Sequence, residues 1–179
     1  MLMVKPYRAM AFLGLAAIVS ACSSTGPGEG LEETAASVAP AQSEWAPGGL
    51  EAAYCPKITL RQGTAILDKK NGEELAYSAN ITGTNRDCRI VDGQLRMKIA
   101  VFGRVMPGPA APGAVTLPIR IAVLRGEDVI YSELGQRQVN AQSGQSAQTF
   151  EYVDDRIAFA EPKERNIIIY TGFDEGPPE

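Results

Sequence analysis

Short apolar runs separated by turn residues fill the chain from residue 54 onward. Between Leu75 and Ile81, apolar residues alternate with polar or small ones, which is the period of a strand with one buried face. No segment of this region keeps a helical period over the length of a typical helix. The pattern predicts an all-β domain with strands around residues 57–61, 64–67, 75–82, 89–91, 94–104, 117–125, 128–134, 147–153 and 166–173.

Strands at this spacing, without helices between them, favour a two-layer antiparallel β-sandwich of the immunoglobulin or fibronectin-III type over residues 54–179. A small closed barrel is the alternative. Gly63 predicts a kink or bulge in the first strand region, and Asn71-Gly72 predicts a turn. The stretch 106–114, which is rich in Pro and Gly, predicts an exposed loop between two long strands.

One hairpin can be predicted in register. The dipeptide Gly126-Glu127 suits a two-residue type II′ turn, which takes glycine first. Counting outward from this turn predicts three cross-strand pairs: Arg125 with Asp128, Val123 with Ile130, and Arg120 with Glu133.

The N-terminal residues have the pattern of an export signal. Lys5 and Arg8, with no acidic residue nearby, precede an unbroken apolar run over residues 11–19. This run is shorter than the roughly twenty apolar residues that cross a bilayer, so a cleaved signal over residues 1–21 is the better interpretation. The run ends in Val19-Ser20-Ala21-Cys22, which resembles the lipobox of bacterial lipoproteins.

The resemblance implies a lipid anchor. In that family the cysteine sulfur receives a diacylglycerol and signal peptidase cuts just before the cysteine, here between Ala21 and Cys22. The freed amine is usually acylated, for example with palmitate. Ser23 stands where lipoproteins retained in the inner membrane often have Asp, which favours the periplasmic face of the outer membrane. The alternative is an ordinary secretory signal in which Cys22 has no such role.

Residues 22–53 predict a flexible, lipid-anchored tether, because Ser, Gly, Pro, Ala and Glu dominate and few apolar residues could form a core. Trp45 is the aromatic exception. Three interpretations of its side chain remain open: it docks on the domain, it docks at a membrane interface, or it does neither.

With Cys22 assigned to the lipid, Cys55 and Cys88 remain. An even pair of cysteines in an oxidising compartment predicts a disulfide. Two buried free thiols or a redox pair are the alternatives, although the spacing is not that of a CxxC motif.

Composition excludes several classes of function. The chain has 17 basic and 21 acidic side chains, and Lys5 and Arg8 lie in the predicted signal, so the mature protein is acidic and does not resemble a nucleic-acid binder. Histidine is absent, which removes Ser-His-Asp and Cys-His nucleophiles and His-containing zinc sites. Four acidic pairs flank predicted turns and strand ends, where solvated carboxylates are common: Glu73-Glu74, Glu127-Asp128, Asp154-Asp155 and Asp174-Glu175. We therefore predict no catalytic residue, metal site or cofactor.

The segment 94–104 suggests an interaction surface. Leu95, Met97, Ile99 and Val101 share one face of the predicted strand. If this strand pairs with 117–125, the other face forms a cationic patch for an anionic glycan, lipid headgroup or acidic protein. The alternative is an ordinary solvated face in which Glu133 neutralises the arginine on the second strand. The patch would comprise Arg96, Lys98, Phe102, Arg104 and Arg120.

Together these features predict a non-enzymatic lipoprotein that is held to the membrane by Cys22 and binds an envelope protein or glycan, or supports an assembly. One alternative is a hydrolase or transferase that acts on cell-wall polymer with carboxylates. It requires acids with perturbed pKa values that converge in a cleft, whereas a binding module requires an open face or edge. A second alternative is a carrier with an apolar cavity between its sheets.

Overall fold

The structure is a computed structural model and describes residues 48–177. The predicted signal, the lipobox with Ala21 and Cys22, and Trp45 lie outside the described residues. Within them no helix is long and apolar enough to span a membrane. The described chain forms nine strands: β1 (Leu50–Glu51), β2 (Ile58–Leu60), β3 (Ile66–Asn71), β4 (Glu74–Val91), β5 (Gln94–Pro107), β6 (Pro112–Arg125), β7 (Asp128–Gln142), β8 (Gln148–Ala160) and β9 (Ile167–Phe173).

The strands form two packed sheets, which confirms the predicted two-layer β-sandwich. The five-stranded sheet has the order β1-β4-β5-β8, and β3 also pairs with β4. The four-stranded sheet has the order β2-β9-β6-β7. Neighbouring strands are antiparallel except β2 and β9, which are parallel. The likeness to immunoglobulin domains lies in the layers, because the strand order differs from the ABED and CFG sheets of those domains.

The core lies between the sheets and follows the predicted alternation. On β5 the side chains of Leu95, Met97, Ile99 and Val101 are completely buried. On β6 the alternate residues from Leu117 to Val123 are buried as well. Burial of each such side chain contributes about 1.5–3 kcal/mol, so this double row is a main source of stability.

The structure confirms the predicted pairing of the β6–β7 hairpin next to its turn, but the register differs from the prediction farther along the strands. Arg125 pairs with Asp128, and Gly126 has the positive φ of 62° that a type II′ turn needs. Ile130 then forms a β-bulge, so that Leu124 pairs with Val129 and Val123 pairs with Tyr131. The predicted pairs of Val123 with Ile130 and of Arg120 with Glu133 are therefore wrong. The extra residue turns Tyr131 toward the core and places Arg120 opposite Leu134.

Two strand boundaries also differ from the prediction. The region 57–67 is not one interrupted strand, because β2 and β3 belong to different sheets and the chain crosses between them near Gly63, where φ is 80°. The predicted loop 106–114 is shorter, since β5 continues to Pro107 and β6 begins at Pro112. Both prolines lie at strand ends, where a missing N–H is tolerated.

The predicted disulfide between Cys55 and Cys88 is present, with a Cα–Cα distance of 5.6 Å. It attaches the segment before β2 to β4. Two hydrogen bonds hold the same segment: the Ala52 N–H donates to the Cys88 carbonyl (3.1 Å), and the Tyr54 hydroxyl donates to the Ile167 carbonyl (3.2 Å). Strand β1 lies within residues 22–53, the range assigned to the tether, and pairs with β4.

Gly135 of β7 is needed because the ring of Tyr152 lies directly against its Cα. A Cβ at this position would be 2.0 Å from the Tyr152 hydroxyl oxygen. We expect Gly135→Ala to lower the free energy of unfolding by about 1–3 kcal/mol, because the ring must move out of a packed site. Urea unfolding measures this change. Gly83→Ala is the control, since no atom lies within 4 Å of its Cβ position. Equal losses in the two variants would contradict this explanation.

Candidate binding face

The structure divides the predicted cationic patch between two opposite surfaces. Arg96, Lys98, Phe102 and Arg104 lie on β5 and face away from the core, as predicted. Arg120 lies on β6, which pairs with β7 and β9 and not with β5. The prediction that Arg120 belongs to the same patch is therefore wrong. The reason is that the chain crosses to the other sheet between β5 and β6 instead of forming a hairpin.

The outer face of the five-stranded sheet, which points away from the other layer, has charges of both signs. Arg96 lies opposite Arg89, which forms a salt bridge with Asp87 (2.9 Å). Lys98 lies opposite Asp87 on β4, and Phe102 lies opposite Glu151 on β8. This mixture favours the interpretation as an ordinary solvated sheet face.

The outer face of the four-stranded sheet carries a cluster of exposed apolar residues on the half nearer the β6–β7 turn. Val129, Ile168 and Leu134 are 61%, 42% and 40% exposed. Val129 and Ile168 lie on either side of Leu124, whereas Leu134 lies opposite Arg120 and diagonal to Ala122. A sheet with one solvated face normally carries polar residues there. We call this surface the apolar face and define it by Ala122, Leu124, Val129, Leu134, Ile168 and Tyr170.

The sequence indicates this surface by continuous apolar runs, which differ from the alternation of apolar and polar residues in a half-buried strand. In β9 the run Ile167-Ile-Ile-Tyr170 is apolar at both odd and even positions, and so is most of β6. Continuous apolar runs are typical of strands that are covered on both faces. The core covers one face of β6 and β9. On the other face Thr64 covers Gly172, but Ile168 remains 42% exposed.

A groove of about 340 Å³ crosses the apolar face. Small residues, Ala122 and Gly172, line it between the larger side chains of Tyr170, Leu124 and Val129. Thr64, at the edge beside β9, lies over Gly172, where a Cβ would be 1.8 Å from the Thr64 hydroxyl oxygen. Thr64 therefore fills the space that a side chain at Gly172 would take, and the small side chain of Ala122 leaves room for the groove.

Three charged residues line this groove: Arg61, Arg120 and Asp174. The Arg120 Nε donates a hydrogen bond to Asp174 Oδ2, and its Nη1 donates to Ser132 Oγ (3.0 Å). The bond from Arg120 is the main cause that lowers the pKa of Asp174, and the Gly176 N–H adds to it. Arg61 also lines the groove and forms no salt bridge within residues 48–177. Its charge helps to lower the pKa of Asp174, and its guanidinium keeps hydrogen-bond donors for an anionic ligand.

A second polar group, the β7–β8 cluster of Tyr131, Glu133, Asp154 and Arg156, lies where the two sheets meet. Asp154 is 1% exposed and accepts a hydrogen bond from the Tyr131 hydroxyl (2.6 Å). It also accepts bonds from the backbone N–H and the Nε of Arg156, both at 3.1 Å. Arg156 in turn donates to Glu133 (3.0 Å). These bonds connect the edge strands of the two sheets, which is a structural role.

The cluster predicts a response to alkaline pH. Burial, and then the hydrogen bond to Asp154, raise the pKa of Tyr131, so the folded state favours the neutral phenol. The unfolded chain loses this proton near pH 10, and the free energy of unfolding should fall above that pH by about 1.4 kcal/mol per pH unit for this group. Urea unfolding between about pH 8 and 11 measures the slope. Tyr131→Phe should reduce the slope, and an unchanged slope would contradict the assignment.

No protein-family model, curated protein or solved structure matches this chain. Within residues 48–177, no group of three His, Cys, Asp or Glu side chains is arranged to hold a metal ion.

Proposed function

We propose that this chain is a lipid-anchored lipoprotein of the cell envelope that binds a protein partner through the apolar face and is not an enzyme. The exposed apolar face and its groove are the observation on which the proposal depends. Single exposed apolar residues are common on protein surfaces, whereas a contiguous apolar patch with a polar rim marks an interaction site. The lipobox-like sequence at Cys22 supports the anchored location.

The composition of the face favours a protein segment as its ligand. Tyr170 offers an aromatic ring beside the small residues of the groove, and aromatic side chains are enriched at the centres of interfaces. Arg61 lies at the rim without a salt bridge to any described residue. A segment with apolar side chains and one carboxylate satisfies both features, because the carboxylate would accept from the guanidinium.

The alternatives have less support. A hydrolase that uses carboxylates needs an acid whose pKa is raised toward neutrality, yet Arg120 lowers the pKa of Asp174 beside the groove. Asp154 is buried and hydrogen-bonded within the β7–β8 cluster. An apolar-ligand carrier needs a cavity between its sheets. Here fully buried side chains such as Met97 and Ile121 occupy that space, which is evidence against a carrier.

Photo-crosslinking in cells tests the binding face. A photoreactive residue at Val129 of the full-length chain should give a discrete protein adduct. Ala122→Arg should abolish the adduct, because the long side chain fills the groove. Ala158→Arg is the matched control, since Ala158 is an exposed alanine on the other sheet. Loss of the adduct in both variants, or in neither, would contradict the proposed face.

Metabolic labelling with a fatty-acid analogue tests the anchor separately. The full-length chain should be labelled and should sediment with membranes. Cys22→Ala should remove the label and release the protein, whereas Cys88→Ala should keep the label. An unlabelled wild-type chain would refute the anchor without affecting the test of the binding face.

A further inference from the structure

Strand β7 is a long edge strand. It spans Asp128–Gln142 and pairs with β6 on one side, while no described strand pairs with its other side. Beyond the bulge at Ile130 its pairing with β6 continues to Gln142 without another register shift. A regular edge of this length presents a row of N–H and C=O groups that can extend the sheet into another chain.

Charged side chains on β7 are placed symmetrically about Gly135. Glu133 precedes this glycine by two residues and Arg137 follows it by two. All three lie opposite buried residues of β6, so they are on the same side of the sheet. If two copies of β7 pair antiparallel with Gly135 at the two-fold axis, each Glu133 lies directly opposite the Arg137 of the other copy.

Both side chains are able to make this contact. Arg137 is exposed and forms no salt bridge within the described chain. The Glu133 side chain is 39% exposed and uses Oε1 for Arg156, which leaves Oε2 to accept from a second arginine. The same register places Tyr131 opposite Val139 and Leu134 opposite Gln136, so it brings no like charges together.

We propose that a second copy of this chain pairs with β7, antiparallel about Gly135, and joins the two four-stranded sheets into one sheet of eight strands. An antiparallel edge pair has its two-fold axis perpendicular to the sheet, so the two apolar faces point in the same direction. The dimer would then present two grooves side by side to a partner. The pairing does not depend on the proposed function, since β7 could dimerise whatever the groove binds.

Cysteine crosslinking of the full-length chain in cells tests the register. In this arrangement Leu134→Cys/Gln136→Cys places each new thiol opposite one of the other copy, and mild oxidation should give a covalent dimer. Gln138→Cys/Asn140→Cys has the same spacing on the same face but no facing thiols. We expect at least tenfold less dimer from this control, in line with the distance dependence of cross-strand contacts. Equal amounts from both variants, or no dimer from either, would overturn the proposal.

Charge reversal tests the specific contact. Arg137→Glu alone and Glu133→Arg alone each place like charges opposite each other in a homodimer, and the dimer should decrease about tenfold. Co-expression of the two variants should restore it as a heterodimer, because both cross-strand pairs are then of opposite charge. Two epitope tags and native mass spectrometry identify the species. Homodimers that persist, or a heterodimer that does not form, would overturn the proposal, and recovery of the heterodimer shows that both variants fold.

Discussion

Replacing Asp154 with alanine is expected to lower the free energy of unfolding by about 2–4 kcal/mol, one of the two largest effects predicted for a change in this protein. The carboxylate is buried and accepts hydrogen bonds from the Tyr131 hydroxyl and from two nitrogens of Arg156. Its removal leaves a half-buried phenol and an arginine without their main acceptor. Arg156 is 56% exposed and regains part of its solvation, so the lower half of this range is expected. Urea or thermal unfolding gives the value.

Asp155→Ala is the matched control for this prediction. Asp155 is the next residue on β8 and is exposed, so its removal should change stability by less than about 0.5 kcal/mol. Asp154→Asn keeps the size of the side chain and part of its accepting capacity, and should fall between the two. Similar stabilities for Asp154→Ala and Asp155→Ala would show that the β7–β8 cluster does not hold the sheets together.

Removing the disulfide by Cys55→Ser/Cys88→Ser should lower the free energy of unfolding by about 3–4 kcal/mol in the chain-entropy model. The bond closes a loop over a sequence separation of 33, and its absence gives the unfolded chain more conformations. The segment around Tyr54 would then be held only by its hydrogen bonds and by noncovalent packing against the core. Chemical unfolding of the oxidised wild type and of the variant measures the difference.

A reducing agent provides the control for the disulfide. It should destabilise the wild-type protein to the level of the double variant and should leave the variant unchanged. A loss of less than about 1 kcal/mol would mean that native-state contacts, and not the constraint on the unfolded chain, determine the stability of this region.

The outer faces of the two sheets differ in the side chains that they expose to water. On the five-stranded sheet, Arg89 and Asp87 form a salt bridge, which is consistent with a face in contact with water. On the four-stranded sheet Val129 and Ile168 are exposed, so covering this face with a partner removes apolar surface from water and is favourable. The partner is therefore expected on the second face, and variants on the first serve as controls.

Several features of the fold could be predicted because their causes are local. The alternation between Leu95 and Val101 reflects a period of two that any half-buried strand must follow. Gly126 supplies a backbone conformation that the hairpin turn requires. The pairing of Cys55 with Cys88 has no local cause, and its prediction depends on the even number of cysteines left when Cys22 is assigned to the lipid.

The candidate site was less predictable because its parts are far apart in the sequence. Arg61, Arg120 and Asp174 come from three separate segments that meet at one groove. Arg120 belongs to the predicted patch only if β5 pairs with β6, whereas the chain crosses to the other layer between these strands. The sequence predicts a solvated carboxylate at Asp154, near a strand end, but β8 continues past it and Asp154 follows the inward alternation of Phe150 and Tyr152.

The sequence by itself determined the strands, their buried sides and the closest turn pairs, because these depend on residues only a few positions apart. The tertiary structure alone decided which strands share a sheet, where the register shifts, and which of two apolar sides remains open. Those outcomes depend on how well whole rows of side chains pack across the two layers. A period of two identifies the faces of a strand, but only the packing of the layers selects the face that is covered.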